Sequence, residues 1–162
     1  MPSKSICVSL LAVLLALCSV NLVAQMPNPY GAPITLEEAK KAATAALAEA
    51  AKNKWNMVAA VVDPSGNLVY YEKMDNTQLA SANVAIDKAR SAALYKRPTK
   101  AMQDALAAGG AGLRILRLQG AMPVEGGIPL LADGKIIGAI GLSGDTSEHD
   151  NQCAGVGAAM VK

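Results

Sequence analysis

Two apolar runs of this sequence are each interrupted by a turn that begins with aspartate and ends with glycine. The first run, VVDPSGNLVY, is broken at residues 63–66, and the second, LLADGKIIGAI, is broken at Asp133-Gly134. An Asp-Gly pair between apolar runs is a strong short-range signal of a β-hairpin, and an early proline with a late glycine is typical of a tight turn. We therefore predict two hairpins, which form an antiparallel sheet when they pair side by side.

Helical patterns surround both hairpins. Thr35 and Glu38 have the spacing of a capping box, and Thr99 is predicted to cap a short helix. Apolar and polar side chains alternate only weakly over residues 113–118, where we predict a short strand. The predicted helices are residues 35–52, 79–96, 99–108 and 148–161. The sequence thus predicts an α+β fold, in which a central antiparallel sheet that includes the two hairpins is flanked by helices.

The first 24 residues have the pattern of a secretory signal peptide. Lys4 precedes an uncharged apolar run over residues 6–20, and small residues precede Gln25. This run is short for a membrane span, which needs ~20 apolar residues. We predict a signal peptide over residues 1–24, an extended leader over 25–33 that is mobile unless another subunit holds it, and a folded domain over 34–162. The expected location is periplasmic or secreted, without membrane attachment after cleavage.

The composition of the exported part excludes several classes of protein. It has 138 of the 162 residues, enough for one domain with a core, and Cys153 is its single cysteine, so no internal disulfide can form. Its 14 basic and 13 acidic residues are nearly balanced and its aromatic residues are few, which argues against nucleic acid as a partner. The sequence has no haem-attachment Cys-x-x-Cys-His, zinc cluster or P-loop.

Charged residues and glycines follow the predicted hairpins. Lys73 and Asp75, at the end of the first hairpin, could hold the carboxylates of a ligand, or form a solvated pair beside a core methionine. Glu125, Gly126 and Gly127 precede the second hairpin and could offer backbone N–H groups to an anion, or form a simple turn.

Two further candidates lie on predicted helices. Lys88 could reach a ligand anion if its helix covers a pocket, or lie on a solvated face. His149 is the sole histidine of the chain and stands in the first turn of the last helix. It could ligate a haem iron, act as a general base, or be a surface residue.

The order and spacing of several motifs resemble the GlcG/HbpS family of haem-binding and haem-degrading-type proteins, and also the C-terminal domain of PduO-type proteins. The resemblance extends from Ile34 to the C-terminus. The matching segments are residues 61–66, Lys73-Met74-Asp75, residues 85–89, 126–129 and 137–144, with Asp150 and Ala154.

The resemblance implies a single-domain α+β sandwich, with a central antiparallel sheet of about five strands flanked by helices. It also implies an exported homo-oligomer that binds haem or a related tetrapyrrole, in some members linked to iron handling. Its pocket would be lined by Lys73, residues 125–127 and the start of the last helix. With His149 as the single histidine, the iron would be held by that residue alone, by a methionine such as Met74 or Met122, by a weak oxygen ligand, or by a neighbouring subunit.

Three functional hypotheses follow. The first is an exported haem-binding protein. The second is a small-molecule enzyme, an isomerase or a degradative enzyme, in which Asp75, Glu125 or His149 acts as acid or base on a carboxylated metabolite. The third is a non-catalytic oligomeric scaffold.

Overall fold

The computed structural model describes residues 28–162, so the predicted signal peptide and residues 25–27 of the leader lie outside the described part. The helices are α1 (Leu36–Lys52), α2 (Ser81–Leu94), α3 (Thr99–Ala107), a 3₁₀ helix (Gly110–Arg117) and α4 (Ser147–Ala158). The strands are β1 (Val58–Val62), β2 (Leu68–Lys73), β3 (Gly127–Ala132) and β4 (Lys135–Ser143). Within residues 28–162, no helix is both long enough and apolar enough to cross a membrane.

Both predicted hairpins are present, and they join through their inner strands. The antiparallel sheet has the order β2-β1-β4-β3. The turn of the second hairpin has positive φ at Asp133 and Gly134, 49° and 70°, as its two-residue connection requires. The α+β prediction is therefore confirmed, and the two hairpins form one continuous sheet.

The sheet has four strands in the described chain, not five, because residues 113–117 of the predicted fifth strand belong to the 3₁₀ helix and Leu118 follows its end. Gly109 and Gly110 both have positive φ and turn the chain back after α3. Gly112 then lies so close to the carbonyl of Ala105 that a β-carbon there would overlap it. This segment packs on α3, where Ile115 is its buried side chain, and it has no place in the sheet.

Helices cover both faces of the sheet. The alanine-rich face of α2 packs on one face, where Ala85 contacts Val58 and Ala60. Helices α1 and α4 cover the other face, packed on the alternate side chains of the strands, such as Ala59 and Leu142. The strands alternate between the two faces because successive side chains point to opposite sides. The result is a three-layer sandwich with short side chains on the α2 side.

The leader, where it is described, is held by the same chain. Residues 29–34 hydrogen bond to Ile136 and Ile137 of β4, beyond the point where β1 ends. The Tyr30 hydroxyl donates to the carbonyl oxygen of Ala93, near the end of α2, at 3.0 Å. The leader was predicted to be mobile unless another subunit holds it, but this part needs no second subunit.

We expect the two glycines of α4 to respond oppositely to alanine. Gly155→Ala should stabilise the protein by about 0.5–1 kcal/mol, because no atom lies within 4 Å of the new methyl group and alanine is the better helix former. Gly157→Ala should destabilise it by about 1–3 kcal/mol, because its methyl group would lie 2.7 Å from the carbonyl oxygen of Ala42 on α1. Urea unfolding of both variants measures the difference. Equal effects would contradict close α1–α4 packing, since the two changes share the same gain in helix propensity.

Candidate functional site

The segments predicted to form a site meet at one end of the sheet. Val58, at the start of β1, pairs with Lys73 on one side and with Ser143 on the other. Gly127, at the start of β3, pairs with Gly141 near the end of β4. Lys73 therefore lies two strand spacings, roughly 10 Å, from the residues that lead into α4. The strand end, the glycine loop and the start of the last helix thus share this end of the sheet, which we call the site end.

A buried ion pair joins the helices on opposite faces of the sheet at the site end. Lys88 Nζ of α2 lies 2.7 Å from Asp150 Oδ2 of α4, and their side chains are only 1 % and 3 % exposed. Lys88 also donates to the carbonyl oxygen of Leu142, at 3.1 Å. Burial raises the pKa of Asp150, and the attraction of Lys88 opposes this shift. Lys88 is neither on a solvated face nor free for a ligand anion, because its charge is already paired.

The glycine loop makes room for this ion pair. Gly126 has φ 117°, and a β-carbon there would lie 2.9 Å from Cβ of Asp150 and 3.0 Å from Nζ of Lys88. A β-carbon at Gly127 would overlap the carbonyl of Lys88. The Gly127 N–H donates to Thr99 Oγ1 at 2.9 Å, so it is not free for an anion. Thr99 was predicted to cap α3, but Pro98 holds that position and the threonine fixes the loop instead.

The other predicted site residues differ in their availability. Glu125 is buried; its N–H donates to Gln103 Oε1 at 2.9 Å, and its carboxylate accepts from Gln103 Nε2 at 3.2 Å. Lys73 and Asp75 are exposed at the site end, and Met74 between them is half-buried against the core. Only these exposed residues and His149 are accessible to a ligand without rearrangement.

His149 is fixed by two neighbours that the sequence reasoning did not connect with it. Its ring stacks on Trp55, with centroids 3.8 Å apart and planes 12° from parallel. Its Nδ1 lies 2.6 Å from Asp145 Oδ1, and the two side chains are 37 % and 34 % exposed. This hydrogen bond lowers the pKa of Asp145, which therefore stays ionised at neutral pH. We call these three residues the His149 triad.

The triad determines which ring nitrogen can act on a ligand. An ionised carboxylate only accepts hydrogen bonds, so Nδ1 carries the proton and, in the neutral ring, Nε2 carries a lone pair. Within residues 28–162, Nε2 has no hydrogen-bond partner. A histidine whose other nitrogen donates to a carboxylate is the usual arrangement of a metal-binding imidazole.

The described residues offer no complete metal site. No group of three or more histidine, cysteine, aspartate or glutamate side chains among residues 28–162 is placed to hold an ion. Cys153 is buried in the core, and burial raises its pKa to about 11, so its thiol is neither a ligand nor a nucleophile at neutral pH.

Two sequence signals for these contacts existed. Asp145 and His149 are four residues apart, the separation at which side chains meet at a helix start. Lys88 lies three residues after Ala85 and so falls on the buried face of α2. Neither signal identifies Asp150 or Trp55, which are distant in sequence from their partners.

The comparison with known families agrees with the motifs. Residues 34–159 match the family described as "Haem degrading protein HbpS-like". The chain belongs to the HbpS-like family. An uncharacterised 15.0 kDa protein of Citrobacter freundii, from the dhaT-dhaS intergenic region, is 36 % identical over 125 residues, which are 76 % of this chain and 88 % of the relative. Protein GlcG of Escherichia coli K12 is 38 % identical over 95 residues, 59 % of this chain and 69 % of GlcG.

Solved structures share the HbpS-like fold. A double mutant of HbpS from Streptomyces reticuli superposes with a TM-score of 0.75 at 32 % identity, over 82 % of this chain and 89 % of that chain. A structure described as a PduOC:Heme complex superposes with a TM-score of 0.72 at 25 % identity, over 80 % of this chain and 96 % of that one. ORFY of Klebsiella pneumoniae superposes with a TM-score of 0.74 at 29 % identity, over 84 % of this chain and 95 % of that chain.

We expect that breaking the Lys88–Asp150 pair costs far more stability than breaking a surface pair of similar length. Lys88→Met should destabilise the protein by about 3–5 kcal/mol at neutral pH, because it leaves a buried, unpaired carboxylate. Lys100→Met, which breaks the 2.8 Å pair with Asp104 on α3, should cost no more than about 1 kcal/mol, since those side chains are 47 % and 59 % exposed. Chemical denaturation of both variants gives the comparison.

The same experiment has a pH-dependent control. Burial already raises the pKa of Asp150, and removing the lysine raises it further, so acid neutralises the unpaired carboxyl group. The stability gap between wild type and Lys88→Met should therefore narrow as pH falls toward the range where Asp150 is protonated. This account would be contradicted if Lys88→Met and Lys100→Met lowered the free energy of unfolding equally, or if the loss in Lys88→Met did not depend on pH.

Proposed function

We propose that this protein binds haem, or a closely related tetrapyrrole, at the site end, with His149 as the protein ligand to the iron. The supporting relationships are its membership of the HbpS-like family and its likeness to the PduOC:Heme complex. The observation that carries the proposal is the His149 triad. Asp145 binds Nδ1 of the ring, so Nε2, on the opposite side of the ring, is left unpaired and can bind a metal.

The residues present fit this cofactor. A porphyrin supplies four nitrogen ligands, so one imidazole suffices where the described residues offer no three-ligand cluster. When bound, haem would supply an iron centre that His149 could hold and that can change oxidation state. Trp55 holds the plane of the His149 ring, and Asp145 holds the proton on Nδ1. Lys73 provides an exposed cation for a propionate at the same end of the sheet.

The buried residues of the site end act by positioning. The Lys88–Asp150 pair fixes the first turn of α4, which carries His149. Asp150 also accepts from the N–H of Asp145, at 3.3 Å. Glu125 and the two glycines shape the loop around the pair and are not expected to touch the cofactor.

We expect hemin to bind near one equivalent per subunit, to shift the Soret band and to quench the fluorescence of Trp55. This residue is the single tryptophan of the chain, so its emission reports on one place. His149→Ala should weaken hemin binding about tenfold or more, because the iron loses its protein ligand. Asp133→Asn is the control, since it lies in the turn of the second hairpin, at the other end of β4, and asparagine accepts its positive φ.

Two outcomes would overturn the proposal. One is a spectrum that stays that of free hemin throughout the titration. The other is equal binding by wild type and His149→Ala with no change in the Soret position, which would place the haem elsewhere.

We also propose that the protein is exported, loses residues 1–24 and assembles as a homo-oligomer, in a role connected with haem or iron handling. The sequence of the first 24 residues supports export, and the exposed Leu113 and Leu116, which share one face of the 3₁₀ helix, support self-association. Native mass spectrometry of protein recovered from the export compartment tests both points. The expected mass is an integer multiple of the mass of a chain that begins within two residues of Gln25. An uncleaved chain would contradict the proposed cleavage, and a monomer would contradict the proposed oligomer.

A further inference from the structure

The strongest unassigned feature of the molecule is the short contact between Asp145 and His149. The carboxylate lies 2.6 Å from Nδ1 and precedes the N-cap residue Thr146, so it belongs to the loop and reaches onto the helix. Its own N–H is tied to the buried Asp150. The backbone of Asp145 is therefore fixed by the buried Lys88–Asp150 pair, so its carboxylate is held beside His149.

The carboxylate changes the electronic character of the ring. A hydrogen bond from Nδ1–H to an anion draws the proton toward the carboxylate and makes Nε2 a stronger electron-pair donor to a metal. Stacking on Trp55 covers one ring face and prevents the rotation that would break the contact. The Lys88–Asp150 pair is neutral in sum, so it does not cancel the negative charge of Asp145.

We infer that Asp145 tunes His149 as a strongly donating ligand, so that the site prefers ferric over ferrous haem. This inference rests on the proposed haem binding and specifies the oxidation state of the cofactor. A ferric porphyrin centre carries one more positive charge than a ferrous one, so a ligand with partial imidazolate character stabilises it more. Asp145 is accordingly a positioning and tuning residue that does not touch the iron.

The first test needs no haem. His149 is the sole histidine, so ¹⁵N spectra of the imidazole contain signals of one ring. At a pH where the ring is neutral, we expect the proton on Nδ1 in the wild type, and a shift of the Nδ1 proton signal in Asp145→Asn. A proton on Nε2 in the wild type would overturn the inference without affecting the question of whether haem binds.

The second test is the reduction potential of the bound haem. In Asp145→Asn, the preference for ferric over ferrous haem should fall about tenfold, which raises the one-electron potential by about 59 mV. Glu148→Gln is the matched control, because it removes one negative charge from the same helical turn while leaving the Asp145 contact in place. Its shift should be much smaller.

The outcomes separate the inference from the proposed function. If hemin binds through His149 but Asp145→Asn and Glu148→Gln shift the potential equally, the tuning role is overturned and haem binding stands. If hemin does not bind the wild type although the ring has the Nδ1 proton, the proposed function fails and the inference fails with it.

Discussion

The contact between Lys88 and Asp150 is the interaction on which the rest of the site end depends. Two opposite charges are withdrawn from water where helices from both faces of the sheet approach each other, which is stable only if both are paired. Gly126, just before β3, is required by this contact, because a side chain there would occupy the space of the pair, and Gly127, the first residue of β3, lets the backbone of Lys88 approach closely. Sheet edge, loop and helix start are thus fixed together.

This buried pair and the exposed triad have complementary roles. The pair gives a rigid support, since moving either charge without the other would leave an unpaired charge in the interior, which is strongly destabilising. The triad presents a partly accessible imidazole, because Trp55 fixes the plane of the His149 ring and Asp145 fixes its proton. Placing functional side chains on a rigid element with supporting hydrogen bonds is the general requirement for a precise binding site.

The local parts of this structure could be predicted from the sequence, and the long-range contacts could not. The Asp-Gly turns and the capping box at Thr35 indicate their elements within a few residues, because the interactions that stabilise them are local. The prediction of a strand at residues 113–118 was wrong, since tight packing on α3 outweighed a weak alternation of apolar and polar residues. The ion pair joins residues 62 positions apart, and a single sequence has no signal for such a pairing.

The attachment of the leader to β4 limits where the N-terminus can be trimmed. The backbone of residues 29–34 completes the hydrogen bonding of β4 at Ile136 and Ile137, where β1 no longer reaches, and Tyr30 ties the same segment to the end of α2. A chain that began after Tyr30 would lose the hydrogen bond from the Ile136 N–H to the Pro29 carbonyl and the Tyr30 contact with α2, and the Ile136 N–H would then be free to pair with another chain. The N-terminal limit of the intact fold therefore lies at Pro29, the first described residue that hydrogen bonds to β4.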